Sequence, residues 1–167
     1  MPTSSTMPTV RYREASAHDL PTILNILTEL ELRPEHVMEG KSRYWIAELP
    51  SGEMIGVIGM EYTPNAALLR SAGIRPAYQR QGIGERLTFI VISACAEINI
   101  PVIYTFSTDA QDYWQRRGFR RVGVDEVVEA LPDAPQVHLF RRLGWLPTEV
   151  AWRLDLETRD ESAESAE

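Results

Sequence analysis

The period of the apolar positions divides the chain into alternating strand and helix signals. Val10 to Glu14 alternates apolar and polar, as a short strand does. Leu20, Ile23, Leu24, Leu27 and Leu30 then recur at helical spacing, with Ser16 or Asp19 placed to cap the helix and Pro34 to stop it. Tyr44 to Leu49 and Met54 to Tyr62 read as strands joined by a turn at Pro50-Ser51-Gly52, so they should pair antiparallel. A second turn at Thr63-Pro64-Asn65 leads into a third strand, Ala66 to Ile74, and completes a meander. Pro76 biases Arg75 away from the helical region and ends that strand. Leu87, Ile90, Val91, Ala94, Cys95 and Ile98 next mark a long helix starting at or just after Gly82.

Beyond that helix, Val102 to Phe106 predicts a buried strand, Asp109 to Arg117 a short helix and Phe119 to Val124 another strand. Glu126 to Gly144 carries a weakly amphipathic piece with Val137, Leu139, Phe140 and Leu143, whose placement does not follow from its pattern. Val150 to Leu156 alternates as a final strand. These elements make an α/β domain over residues 10–156. The Ser-, Thr- and Pro-rich residues 1–9 and the acidic residues 157–167 are expected to be disordered tails.

Composition narrows the function classes. In 167 residues, 44% hydrophobic and 25% charged content fits one soluble domain with a sizeable core. The net charge of -7 argues against nucleic acid or an anionic membrane as partner. One cysteine cannot make an intrachain disulfide, and no N-terminal apolar segment marks a signal or a span, so a cytoplasmic location is expected. Cys95 falls on the apolar face of the long helix and is read as a buried small hydrophobe. His18, His36 and His138 show no ligand spacing, and no metal is expected.

Candidate chemistry centres on Gly73-Ile-Arg-Pro-Ala-Tyr-Gln-Arg-Gln-Gly-Ile-Gly84, which joins a strand to a helix start. Unpaired N–H groups and the positive end of the helix dipole meet there, and glycines let a phosphate approach the backbone. The Lys-Ser/Thr ending of a P-loop is missing, and Leu87 occupies the third glycine position of a dinucleotide fingerprint. Gln79-Arg80-Gln81-Gly82-Ile83-Gly84, with its lead-in Ile74 to Tyr78, instead resembles the Gln/Arg-x-x-Gly-x-Gly/Ala loop of the GNAT superfamily of acyl-CoA N-acyltransferases.

Tyr113-Trp-Gln-Arg-Arg-Gly-Phe119 resembles a second signature of that superfamily, and the order of elements is similar over Val10 to Leu156. Ala66 to Ser71 and Phe106 to Ala110 look most like arsenic-operon acetyltransferases and the acetyltransferase domain of N-acetylglutamate synthases. The resemblance implies a central mixed sheet with an N-terminal antiparallel meander and helices on both faces. It also implies acetyl-CoA as co-substrate, direct transfer of the acetyl group to a small, amino-acid-like amine, and compatibility with a homodimer.

Residue by residue, the resemblance gives Gln79, Arg80, Gln81, Gly82, Ile83 and Gly84 to the coenzyme A pyrophosphate. It gives backbone N–H groups near Gly73 and Ile74 to the reacting carbonyl oxygen. The position of the family's usual proton-donating tyrosine holds Trp114. Tyr113, about 100° away around the helix, and Ser107 are the remaining candidate acids. The strand before the loop carries no carboxylate; Glu61 on the preceding strand is a candidate base or a solvated or structural charge, and a water chain could serve instead. Arg70, with Ser71 beside it, is a candidate partner for a substrate carboxylate or one half of a structural ion pair. Arg116, Arg117, Arg120 and Arg121 could meet the coenzyme A 3'-phosphate or decorate a helix end. Two other readings stay open: an acyl-CoA-binding regulatory module that transfers poorly, and a peptide or protein N-acetyltransferase.

Overall fold

The computed structural model describes residues 9–157, so the expected tails lie outside it apart from Thr9 and Glu157. Its strands are β1 (Arg11–Glu14), β2 (Ser42–Glu48), β3 (Met54–Tyr62), β4 (Ala67–Ile74), β5 (Val102–Phe106), β6 (Arg120–Val122) and β7 (Ala151–Asp155). They form one sheet in the order β1-β2-β3-β4-β5-β7-β6. β4 and β5 run parallel and every other neighbouring pair runs antiparallel. The expected meander is therefore β2-β3-β4.

Among the described residues, five α-helices cover both faces: α1 (Leu20–Glu29), α2 (Ile83–Glu97), α3 (Gln111–Arg116), α4 (Val124–Ala130) and α5 (Pro135–Leu143). Alternate residues of the central strands separate accordingly. Trp45, Ala47, Ala67, Leu69 and Ile103 join Leu87, Val91 and Cys95 of α2 in one core. Tyr44 and Ile46 face Ile23, Ile26 and Leu27 of α1. Leu68 and Tyr104 meet Val127 and Val137 of α4 and α5. With both faces covered, β3 reads as a nearly unbroken apolar run. Cys95 is fully buried, burial pushes its thiol up to about 12, and its Sγ lies 3.4 Å from Met60 Sδ.

Helices α1 and α3 end on one device. At the end of α1, Leu32 N–H bonds the Leu27 carbonyl and Glu31 N–H bonds Thr28, with Glu31 left-handed at φ 58°. This is a Schellman motif with glutamate where glycine is usual. It ends α1 at Glu29, five residues before the proline expected to stop it. Its C-terminal Leu30 and Leu32 then fold toward β4, where a Cβ on Gly73 would lie 2.7 Å from Leu30 and 2.9 Å from Leu32. The same motif ends α3: Gly118 is left-handed, Phe119 N–H bonds the Trp114 carbonyl at 3.0 Å, and the two rings meet edge-on at 5.0 Å. The Gly-Phe signature is thus a helix cap, and Trp114 is its apolar partner.

Between residues 126 and 144 the unplaced stretch resolves into α4 and α5, packed against β4 and β5 on the face that α1 shares. The strand expected over 119–124 shortens to the edge strand β6, because Val124 already begins α4.

Candidate active site

The site begins where the two parallel strands part. β4 and β5 stay in register only from Ala67 opposite Ile103 to Leu69 opposite Thr105. Thr105 Oγ1 donates to the Leu69 carbonyl at 3.1 Å and closes the last paired rung. Beyond it β4 bulges. Val57 pairs with Gly73 and Gly59 with Arg70, so Ser71 and Ala72 together oppose Ile58, with Ser71 left-handed at φ 58°. The bulge bends β4 away from β5 and opens a cleft.

Backbone alternation decides which donors face that cleft. Arg75 N–H bonds the Ile55 carbonyl. The Gly73 N–H, two residues earlier in the ladder, therefore points to β3 as well, while the Ile74 N–H points into the opening. Of the two donors expected from sequence, Ile74 is available and Gly73 is not. The glycine at 73 is required instead by its close contact with Leu30 and Leu32.

At the mouth, the chain turns through Arg80 (φ 64°) and Gly82 (φ 83°) into α2. From Arg80 to Glu85, no backbone N–H has a hydrogen-bond partner among the described residues. Nothing lies within 4 Å of a Cβ placed on Gly82, so the loop is open to solvent on that side. Gln79 Nε2 ties the loop to the Ile74 carbonyl at 3.0 Å, and Ile83 anchors it from the core at 3% exposure. Gln79 and Ile83 thus hold the loop in shape, and the N–H row stays free. A row of free donors at the start of a 15-residue helix is suited to a pyrophosphate.

A cavity of about 550 Å³ fills the cleft. Both candidate acids line it. Tyr113 Oη lies 2.9 Å from Thr88 Oγ1, which itself donates to the Gly84 carbonyl at 2.9 Å, so the phenol is the donor of the first bond. The Arg117 guanidinium stacks 3.5 Å from the centre of the Tyr113 ring and pairs with Glu85 at 3.3 Å. Arg117 is thereby committed to the helix end, and Arg120 pairs with Asp155 at 3.6 Å. Ser107 is held by its backbone, its N–H on the Val150 carbonyl and its carbonyl on Trp152 Nε1, both at 2.9 Å. Trp114 reaches the cavity wall but is 5% exposed, and its Nε1 has no partner.

Arg70 does not offer its guanidinium to a ligand. Its Nη1 bonds Glu61 at 2.8 Å, with each side chain 1% exposed. Nε donates to Ser71 Oγ at 3.0 Å and Nη2 to the Glu35 carbonyl at 3.0 Å. Glu61 also accepts the Gln136 N–H at the start of α5 at 2.9 Å. Of the two roles open to Arg70, the structural one is observed, and Ser71 is its partner. The pair fastens both the α1–β2 loop and α5 to the sheet.

Sequence reasoning missed three contributors to the cavity. Arg33 lines it from the α1–β2 loop, with Nη2 on Glu35 at 3.0 Å and its guanidinium 5.3 Å from the Trp145 ring centre. Glu149 and Asp109 line it from the segments flanking β7 and β5, and neither has a cationic partner among the described residues. Burial, followed by the negative charge of Asp109, raises the Glu149 carboxyl above the usual glutamate range. The signal for Glu149 was absent because it belongs to a stretch whose position only the folded chain reveals. Among the described residues, no three His, Cys, Asp or Glu side chains gather as metal ligands would, and no helix is long and apolar enough to cross a membrane.

A family model described as an acetyltransferase (GNAT) domain matches residues 13–135. No curated protein matches the chain by sequence. Among solved structures, N-acetylglutamate synthase from Neisseria gonorrhoeae, complexed with coenzyme A and N-acetyl-glutamate, is similar with a TM-score of 0.69 at 20% identity. That match covers 91% of this chain and 36% of the synthase, so this chain spans about a third of that relative. A GNAT-family acetyltransferase from Staphylococcus aureus matches at TM-score 0.69 and 18% identity, over 89% of this chain and 100% of its own. A Mycobacterium tuberculosis protein in complex with CoA matches at TM-score 0.68 and 18% identity, over 88% of this chain and 99% of its own.

Proposed function

Because the chain belongs to the GNAT acetyltransferase family, we propose that it transfers the acetyl group of acetyl-CoA directly to the amine of a small, amino-acid-like molecule. The observation that carries this reading is the row of free N–H groups from Arg80 to Glu85 at the mouth of a cleft opened between β4 and β5. Residues 10–156 act as one catalytic domain.

Acetyl-CoA supplies an activated acetyl group, whose transfer forms an amide C–N bond, breaks the thioester C–S bond and releases the free thiol. The N–H row holds the pyrophosphate, and the Ile74 N–H points to where negative charge develops on the carbonyl oxygen. Glu149 takes the proton that an ammonium must lose before it can attack; burial and the Asp109 charge raise its pKa and so strengthen it as a base. Tyr113, which also lines the cavity, holds a proton on Thr88 that it can give to the departing sulfur. Arg33 replaces Arg70 as the partner of an acceptor carboxylate, since its Nε and Nη1 have no hydrogen-bond partner among the described residues.

The test is thiol release from acetyl-CoA over a panel of amino acids, polyamines and aminoglycosides. Amine-dependent release with an amino acid supports the reading. Tight coenzyme A binding without release from any amine would replace it with an acyl-CoA-binding module.

A further inference from the structure

Resting on the acetyl-transfer reading, we propose that the acceptor is an amino acid with an aromatic side chain, received by a pocket of Phe106, Phe140 and Trp145. These three rings form one continuous wall. Phe106 and Phe140 lie 5.5 Å apart at 38°, and Phe140 and Trp145 lie 5.4 Å apart at 54°. All three line the cleft cavity.

The placement of Trp145 is fixed by the end of α5. Gly144 is left-handed at φ 74°, and Trp145 N–H bonds the Phe140 carbonyl at 2.9 Å. In this cap the residue after the left-handed position packs on the one that accepts its bond, which seats the indole on Phe140. Capping explains that one contact. It does not explain why the indole stays 37% exposed within the cavity. The other large exposed apolar side chains among the described residues, Phe89 and Ile98, lie on or just beyond α2 and do not line it.

The polar groups around this wall suit the rest of an amino acid. Glu149 and Asp109, without cationic partners among the described residues, are suited to the ammonium group. Arg33, stacked over Trp145, has the free donors for the carboxylate. Gln136 also lines the cavity, and its Oε1 is buried with no donor. A flat ring laid against this wall gains offset or edge-on contacts that an aliphatic side chain does not.

The experiment compares kcat/KM for L-tryptophan, L-tyrosine, L-phenylalanine, L-leucine, L-glutamate and L-alanine at saturating acetyl-CoA. Calorimetric titration of the same amino acids in the presence of CoA runs alongside. The aromatic acceptors should exceed leucine and glutamate by about tenfold or more. Trp145→Ala should erase that ratio, and Phe89→Ala, away from the cleft, should keep it. Equal use of leucine, or a preference that survives Trp145→Ala, overturns the aromatic pocket and leaves acetyl transfer standing. Trp145-dependent binding of L-tryptophan without turnover supports the pocket and overturns the transfer reading. Neither turnover nor binding of any aromatic amino acid overturns the pocket.

Discussion

Arg70 and Glu61 meet at 2.8 Å on neighbouring strands, with each side chain only 1% exposed. Two walls of the cleft are fastened to this pair. Arg70 holds the α1–β2 loop through the Glu35 carbonyl, and Glu61 holds the first turn of α5 through the Gln136 N–H. Removing one partner leaves a buried charge without compensation. Arg70→Met should therefore destabilise the protein by about 3–5 kcal/mol in denaturant titrations. The double replacement Arg70→Met with Glu61→Leu should recover most of that loss, because no unpaired charge remains. A double variant as unstable as the single one would show that the pair is not the source of the effect.

Much of this architecture was legible in the sequence. Turn residues between apolar runs located the meander, and Gly82 marked the start of α2 correctly. What escaped was set by the backbone at residues whose type gives no warning. Glu31 takes the left-handed cap of α1, and Ser71 takes the left-handed position in the β4 bulge, where glycine would have signalled each. Arg70 stayed between a substrate partner and a structural ion pair because its partners lie nine residues away on the neighbouring strand and in a loop some 35 residues distant. Glu149, Arg33 and Trp145 reach one cavity from three separated segments, a convergence that no local period encodes.

Gly82 gives a test of the loop that separates shape from binding. With φ at 83° and open space around a Cβ, Gly82→Ala should cost on the order of 1 kcal/mol in stability through backbone strain. Gly82→Glu should cost a similar amount but place a carboxylate at the proposed pyrophosphate site. Calorimetric titration with CoA should show affinity falling by about a hundredfold or more in Gly82→Glu, and by much less in Gly82→Ala. Equal losses in the two variants would mean that strain alone is being measured.

Tyr113 and Thr88 share a hydrogen bond that either side chain can lose. Tyr113→Phe removes the proton as well as the bond, whereas Thr88→Val breaks the bond and keeps the phenol. Each should lower stability by about 1 kcal/mol. If the phenol protonates the departing thiolate, kcat should fall by about tenfold or more in Tyr113→Phe alone. Equal kcat losses in both variants would assign the phenol a packing role.

Glu149 should oppose activity to stability. Its carboxyl is raised above the ordinary value of 4.5, first by burial and then by the Asp109 charge, so the folded protein holds this proton more tightly than the unfolded chain does. That contribution is fully present below the unfolded value and is lost as pH rises through the folded one. At pH 7 the ionised, partly buried carboxylate is thus a net cost to folding. Glu149→Gln should raise the Tm at pH 7, and the difference should disappear below about pH 4. The same change removes the base. The kcat/KM should fall by about a hundredfold, and the acidic limb of its pH profile should flatten. Asp109→Asn should shift that limb to lower pH while retaining it, since a neutral neighbour no longer resists ionisation of Glu149. Parallel thermal melts and pH–rate profiles of the three proteins decide the matter. A Glu149→Gln variant that is stabilised yet fully active would move the base elsewhere in the cleft.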